Sequence, residues 1–168
     1  MNEPATHRKA ALITGANKAI SRAIAEQLAA LGMTVLIGAG RLDALANNAG
    51  ITGSGQVSPE DARDQIPSSV DLDMVRTVFE TNVFGVIAVT NALLPLLRKA
   101  PAPRIVNVSS AAGSLTIAAD PGYVDTDIND HSGYLAPAQG AAVAVRLATL
   151  ADDGPTAGFF NADGPLPW

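Results

Sequence analysis

The sequence contains no cysteine, and aromatic residues make up only 4% of its 168 positions. Without cysteine, a disulfide framework and a metal site built from thiolates are excluded, and we predict no metal site of any kind. Charged residues are scarce, at 16%, and the 16 acidic residues outnumber the 11 basic ones, which gives a net charge of -5. This balance provides no basic surface for nucleic acid or for an anionic membrane.

Long uninterrupted apolar runs are also missing. The longest runs, Val83 to Val89 and Leu93 to Leu97, are broken by Gly85 and Pro95 and fall far short of the ~20 residues of a membrane span. Residues 1–11 carry charges and contain no apolar stretch typical of a secretory signal. Because 48% of the residues are hydrophobic, the chain can still bury a core. We therefore expect one domain over residues 1–168, located in the cytoplasm.

Short apolar runs alternate with stretches of helical periodicity along the chain. The predicted strands are Ala10–Thr14, Thr34–Ile37, Leu42–Ala46, Ile105–Val108, Gly158–Asn161 and a weaker one at Leu115–Ala118. The predicted helices are Ile20–Leu31, Asp71–Lys99 (with Pro95 kinking or shortening its last turn) and Pro137–Leu150, and Thr52–Ser69 is predicted to be an exposed loop. This alternation is typical of an α/β domain with a mostly parallel sheet.

The turn between the first predicted strand and helix carries a glycine, Gly15. Backbone N–H groups at a helix N-terminus bind anions such as a dinucleotide pyrophosphate, and glycine lets the backbone approach it closely. The two further glycines of such a turn are replaced by Ala19 and Ser21. The turn alone is therefore also compatible with an ordinary strand-to-helix connection.

Five motifs follow one another in a characteristic order. They are Thr14-Gly15-x-x-x-Ala19-Ile20, Asn47-Asn48-Ala49-Gly50, Thr81-Asn82-Val83-Phe84-Gly85, Asn107-Val108-Ser109-Ser110 and Pro121-Gly122-Tyr123-Val124-Asp125-Thr126. In this order they resemble the short-chain dehydrogenase/reductase family, and specifically its NADPH-dependent carbonyl reductase branch. The resemblance implies a Rossmann-like sheet flanked by helices, and the reduction of an aldehyde or ketone carbonyl, in a small-molecule substrate, by hydride transfer.

The resemblance also implies roles for individual residues. The cofactor, NADPH in preference to NADH, would be bound by Gly15, Asn17, Lys18 and Ile20 at its phosphates, by Asn47, Asn48, Ala49 and Gly50 beside its adenosine, and by Pro121, Gly122 and Thr126 over its nicotinamide. Lys18 would pair with the 2′-phosphate. Asn82 would be the catalytic asparagine, which holds a proton-relay water by its backbone, and Ser110 would hydrogen-bond the substrate carbonyl. Each residue also has a purely structural interpretation, as a solvated lysine, a turn or a satisfied helix asparagine.

One expected feature of this family is missing. Its proton donor is a tyrosine whose pKa is lowered by a lysine four residues later, because a phenol near its ordinary pKa of ~10 exchanges protons poorly at neutral pH. Here Tyr123 and Tyr134 are followed at that spacing by Asp127 and Ala138, and no lysine occurs after Lys99. We therefore interpret both tyrosines as loop residues, and the acid-base pair is absent.

The chain also looks too short for the family topology, whose strand order is 3-2-1-4-5-6. The strands Thr34–Ile37 and Leu42–Ala46 would lie parallel on opposite sides of the first strand, so the link between them would descend about 17 Å and cross two spacings of about 4.8 Å. The four steps from Gly38 to Leu42 reach at most about 14 Å. We therefore expect blocks to be missing at Gly38–Arg41 and after Ser114, where Ser110 to Leu115 is also too short for a parallel crossover. The resulting sheet would be truncated and rearranged.

Two explanations for the missing blocks remain open. The chain is either a doubly deleted family member, or it joins segments whose connections are not among these 168 residues. For function, the alternative to a reductase is a non-catalytic nucleotide-binding or interaction module, and a third option is a remnant without function. Lost helices would uncover apolar surface, so homo-oligomerisation stays open.

Overall fold

The computed structural model describes residues 8–35, 40–52, 70–110, 119–156 and 158–166. Within these ranges a four-stranded parallel sheet has the order β2-β1-β3-β4. Its strands are β1 (Ala10–Ile13), β2 (Thr34–Val35), β3 (Ala44–Asn47) and β4 (Arg104–Asn107). Single parallel bridges extend it from Val108 to Ala119 and from Ala119 to Phe160. Phe160 belongs to a small antiparallel hairpin of β5 (Phe159–Phe160) and β6 (Pro165–Leu166).

In the described part of the chain, the helices that pack beside the sheet are α1 (Ala19–Ala30), α2 (Leu72–Leu97) and α3 (Pro137–Ala148). The predicted strands and helices are confirmed to within two residues wherever they are described. α2 ends at Leu97, two residues after the Pro95 that it contains and before the predicted end at Lys99. Leu36 and Ile37, nearly all of the predicted loop Thr52–Ser69, and the weaker strand at Leu115–Ala118 lie outside the described residues.

Successive residues of each strand point to opposite faces of the sheet, and the two faces are covered differently. On one face Ala11, Ala44 and Val106 pack with α1 and α3 in a core built largely from alanine. On the other face Leu12 and Leu45 pack with the C-terminal half of α2. On β4, Val106 is 4% exposed, but its neighbour Ile105 is 43% exposed. The face covered by α2 is therefore only partly covered.

α2 is longer than any uninterrupted apolar run in the sequence, because it contains polar residues as well as Gly85 and Pro95. Over Leu72–Leu97 it is 26 residues long, and an 18-residue stretch within it has a mean hydropathy of 1.4, so it is long and apolar enough to cross a membrane. Core helices of globular proteins meet the same criterion. Val89, Leu93 and Leu97 pack against the sheet, but Leu97 is the one buried residue within α2, and Phe79 and Phe84 are exposed.

The prediction that the family strand order cannot form here is wrong. β2 and β3 flank β1 in parallel, and Val35 and Ala44 both pair with Ala11. The eight residues between Val35 and Ala44 can reach about 30 Å, more than the about 10 Å of two strand spacings. The prediction failed because it assumed a descent by a full strand length, whereas β3 begins at the level at which β2 already pairs.

The second expectation about reach, for Ser110 to Leu115, lies mostly outside the described residues and stays a prediction. Ala119 pairs in parallel with Val108, and the Ser109 amide donates to the Ala119 carbonyl at 2.9 Å. The sheet is therefore continued in the family order rather than rearranged.

Candidate active site

The candidate site lies where β1 and β3 end side by side. The chain leaves β1 towards β2 on one side, whereas β3 lies on the other side, so the strand order reverses between β1 and β3. In open parallel sheets, ligands bind in the crevice outside the carboxyl ends of the strands at such a reversal. The glycine turn and the Asn47–Gly50 motif follow these two strands directly. The topology therefore brings these two groups of predicted cofactor residues together.

The hydroxyl of Thr14 ties the two loops to each other. It accepts hydrogen bonds from the backbone amides of Asn48, at 3.0 Å, and Ala49, at 2.9 Å. The Thr14 amide in turn donates to the Ala46 carbonyl at 3.0 Å. One side chain thus accepts hydrogen bonds from the two backbone amides that follow β3. These bonds hold the rim of the crevice in one conformation.

Gly15 turns the chain sharply at this rim. Its φ of +72° is a left-handed conformation that glycine adopts without strain. A Cβ at this position would lie 3.3 Å from both the Ala49 Cβ and the Ser21 Oγ. Gly15 therefore allows the glycine turn and the β3 loop to approach closely.

The two residues that replace the further glycines behave differently. Ala19 has a φ of +49°, so the backbone keeps a glycine-like conformation although the residue has a Cβ. Ser21 is buried, and its hydroxyl accepts a hydrogen bond from the Asn48 side-chain amide. The serine thus adds a contact between α1 and the β3 loop that a glycine could not make.

Asn47 is buried in the sheet rather than exposed to the crevice. It is 3% exposed, and its side-chain amide donates to Thr90 on α2 at 3.1 Å and to the Asn107 side chain at 2.9 Å. These bonds join β3, β4 and α2 just below the strand ends. The predicted place of Asn47 beside the adenosine therefore stays a prediction, and its visible role is to align the strands.

Asn82 lies in a wider turn of α2. Residues Glu80–Phe84 form a π-helical segment, in which the Gly85 amide donates to the Glu80 carbonyl. Such segments are rare and often occur at functional sites. The Asn82 side chain accepts from the Ile51 amide at 2.9 Å and donates to the Ile51 carbonyl at 2.8 Å. It therefore anchors the end of the Asn47–Gly50 loop to α2.

Ser110 and the segment from Pro121 to Thr126 follow the next strands of the sheet. Ser110 is exposed, two residues beyond the Val108–Ala119 bridge. Gly122 has a φ of +75°, and its amide donates to the Asp120 side chain at 3.0 Å. Thr126 is buried and begins a 3-10 turn, Asp127–Asn129. The predicted residues of this group thus lie along the same edge of the sheet as Gly15.

Three further residues are predicted to bind the cofactor phosphates. Of these, Asn17 is exposed in the turn, and Ile20 packs partly into the core beneath α1. Lys18 precedes the first helical residue and forms an ion pair with Asp127. The hydrogen bond and the charge of Lys18 lower the pKa of the Asp127 carboxyl. The lysine expected to meet the 2′-phosphate is therefore already paired with a carboxylate of the same chain.

His131 extends this cluster of charges. Its Nδ1 lies 2.5 Å from the Asp125 Oδ1, and its Nε2 lies 3.2 Å from the Asp127 Oδ1. The hydrogen bond with Asp125 raises the pKa of His131, an effect that burial opposes only in part. All these side chains are at least two-fifths exposed.

The two tyrosines lie outside the regular elements, as predicted. Their ring centroids are 6.1 Å apart with the planes tilted by 53°, and the Tyr123 hydroxyl hydrogen-bonds the Ser132 hydroxyl. Both rings are exposed. Neither has a lysine four residues later in the sequence, so the arrangement provides no Tyr-x-x-x-Lys pair.

Sequence reasoning missed Thr14, Ser21 and Asp127 as residues that shape the site. The role of Ser21 could have been predicted from the sequence, because a polar residue at a position expected to be glycine indicates a hydrogen bond. The role of Asp127 could not, because its partner Lys18 is 109 residues away in the chain.

Residues 37–126 match the family model described as short chain dehydrogenase. The chain belongs to the short chain dehydrogenase family. Among curated relatives, this short chain dehydrogenase is 27% identical to (-)-isopiperitenone reductase of Mentha piperita. The alignment is 228 positions long and covers 76% of this chain and 72% of that protein. Matches to the first four curated relatives span between 22% and 72% of their lengths.

The alignment with the Mentha protein also confirms that this short chain dehydrogenase is truncated. It runs over 228 residues but includes about 128 of the 168 residues here, so about 100 aligned positions have no counterpart in this chain. The prediction of missing residues is therefore confirmed. Their predicted locations, at Gly38–Arg41 and after Ser114, stay predictions.

Solved structures of the family share the fold. Salutaridine reductase from Papaver somniferum has a TM-score of 0.77 at 22% identity, over 92% of this chain and 100% of that one. A putative short chain dehydrogenase from Escherichia coli CFT073, solved in complex with NADPH, has a TM-score of 0.63 at 20% identity, over 83% of this chain and 90% of that one. The Rossmann-like sheet flanked by helices, a fold that binds nicotinamide cofactors, is therefore confirmed.

Proposed function

We propose that this short chain dehydrogenase binds a nicotinamide dinucleotide across the carboxyl edge of its sheet and reduces the carbonyl of a small aldehyde or ketone. The observation that carries the proposal is the left-handed turn at Gly15, in contact with Ala49 where the strand order reverses. The N-terminus of α1 follows this turn, and its free amides and dipole favour a phosphate. Family membership supports the same assignment.

The residues at this edge fit a dinucleotide. Gly15 and Gly50 are both exposed at this edge, Gly15 close to Ala49 and Gly50 close to the Asn82 side chain. Gly122 makes a second left-handed turn after Ala119, which is three strand positions away from β1. An extended ligand lying along the edge would therefore meet glycine backbone at both ends, as its phosphates and its nicotinamide require.

We favour NADPH over NADH because of Lys18. Its exposed ammonium, at the start of α1, is a cation that can pair with the additional 2′-phosphate. The Escherichia coli protein with the same fold was solved with NADPH. The preference of this chain is an inference from that one lysine.

For the carbonyl chemistry we assign Asn82 and Ser110. A bound reduced nicotinamide supplies the hydride. Ser110, exposed beyond β4, would donate a hydrogen bond to the carbonyl oxygen, and Asn82 would hold a water that delivers the proton. Because the Asn82 side chain is engaged with Ile51, its backbone is the part that can bind this water.

A second function is supported by the missing Tyr-x-x-x-Lys pair. Neither tyrosine has the lysine that lowers the pKa of the catalytic phenol, so a nucleotide could bind without being turned over. The chain would then be a non-catalytic nucleotide-binding module of the family.

One experiment separates the two functions. NADPH fluorescence is titrated with the protein, and NADPH absorbance is then followed with a panel of small aldehydes and ketones. Turnover that is lost in Ser110→Ala, with NADPH binding retained, supports the reductase. Binding without turnover supports the module, and the absence of binding contradicts both.

A further inference from the structure

The ion pair between Lys18 and Asp127 joins two segments that are far apart in the sheet. Lys18 follows β1, whereas Asp127 follows the single-residue strand at Ala119. Three strand spacings separate β1 from Ala119 in the sheet order, which is about 14 Å. The pair thus connects the two ends of the edge along which the proposed cofactor would lie.

Asp127 is held in place from several sides. It opens the 3-10 turn Asp127–Asn129, whose preceding residue Thr126 is buried. The Thr126 amide donates to the Asn129 side chain at 3.2 Å, and His131 contacts the second carboxylate oxygen of Asp127 at 3.2 Å. The turn and the His131 contact place the carboxylate beside Lys18.

A phosphate on Lys18 would lie next to this carboxylate. The ammonium has three donors, so the geometry allows two anionic partners, but their like charges repel each other at this separation. An unphosphorylated ribose carries no charge at this position and meets no such repulsion. The repulsion therefore weakens the binding of NADPH and leaves the binding of NADH unaffected.

We infer that Asp127 is a specificity-determining residue that competes with the 2′-phosphate of the cofactor for Lys18, and so lowers the affinity for NADPH relative to NADH. This inference rests on the proposed nucleotide binding. Exposed ion pairs contribute little, so removal of the competing carboxylate is expected to strengthen NADPH binding about two- to fivefold.

The test measures dissociation constants of NADPH and NADH by cofactor fluorescence for the full chain and four variants: Asp127→Asn, Asp130→Asn, Lys18→Gln and the double variant Lys18→Gln/Asp127→Asn. Asp127→Asn should bind NADPH about two- to fivefold more tightly, with NADH unchanged. Asp130→Asn is the matched control, because it removes a charge three residues away at a left-handed position that asparagine tolerates. It should change neither constant. In the Lys18→Gln background, Asp127→Asn should give no gain.

Other results overturn the inference. If Asp127→Asn strengthens NADPH and NADH equally, the carboxylate repels phosphates in general and does not compete for Lys18. If it changes neither constant, Asp127 does not compete at all. In both cases the proposed nucleotide binding stands. If no variant binds either nucleotide, the proposed function fails and this inference fails with it.

Discussion

The side chain of Asn82 and the backbone of Ile51 form a reciprocal pair of hydrogen bonds, at 2.9 Å and 2.8 Å. The pair connects a π-helical turn of α2 to the loop that follows β3. Because Gly50 packs against the same amide group, this contact sets the distance between α2 and the rim of the crevice.

Asn82→Ala is expected to lower both stability and NADPH affinity. It removes both bonds to Ile51, and because these groups are exposed the loss in unfolding free energy should be about 1 kcal/mol. Urea unfolding and fluorescence titration measure the two effects. Asn91→Ala, at another exposed asparagine of α2, is the control and should change neither. Equal behaviour of the two variants would contradict the anchoring role.

Gly15→Ala and Gly32→Ala separate backbone strain from the contact between loops. Both glycines have left-handed φ values, +72° and +82°, so either alanine should cost about 1–2 kcal/mol in unfolding free energy. A Cβ at Gly15 also meets Ala49 and Ser21, whereas Gly32 has open space around it. We expect only Gly15→Ala to weaken NADPH binding. Weakening by Gly32→Ala to the same degree would mean that the effect is not local.

Ala19→Gly is expected to stabilise the protein. Ala19 is held at a φ of +49°, which an L-residue with a Cβ adopts only with strain, so glycine should raise the unfolding free energy by about 0.5–1 kcal/mol. Ala25→Gly, inside the same helix, should instead lower it by about 1 kcal/mol. Thermal or urea unfolding gives both values, and a loss of stability in Ala19→Gly would show that the turn does not need this conformation.

His131 should titrate above its ordinary pKa of 6.5, because Asp125 accepts a hydrogen bond from its ring. Its folded pKa is raised, so the stability that it contributes is fully present below the unfolded pKa and is lost as the pH rises through the folded value. NMR of the imidazole protons measures this pKa. Asp125→Asn should lower it, and an unchanged value would show that the contact is absent in solution.

Most of the fold could be predicted from the sequence, because each strand is a short apolar run and each helix has an apolar stripe. The ends of β1 and β3 also follow from their glycine and asparagine motifs. The strand order was mispredicted at the link between β2 and β3, since sequence patterns give the length of a strand but not its register with a neighbour. The shared pairing of Val35 and Ala44 with Ala11 is a property of the folded sheet.

The positions of the candidate site residues could be predicted from the sequence, but their side-chain partners could not. Gly15, Asn82 and Gly122 have special conformations or contacts at the places where the family motifs indicated them. Asn47 illustrates the limit, because the same motif gave no indication that its side chain is buried between strands. The pairing of Lys18 with Asp127 depends on the packing of distant segments, which no local pattern encodes.

The most direct test of the central claim is an NMR titration of the 15N-labelled chain with NADPH. We predict that the backbone amide signals of Gly15, Ala49, Gly50, Ser110 and Gly122 shift with added NADPH, whereas those of the β5–β6 hairpin do not. Signals at the carboxyl edge that stay unchanged, or shifts concentrated on the hairpin, would contradict the claim that this edge is the nucleotide site.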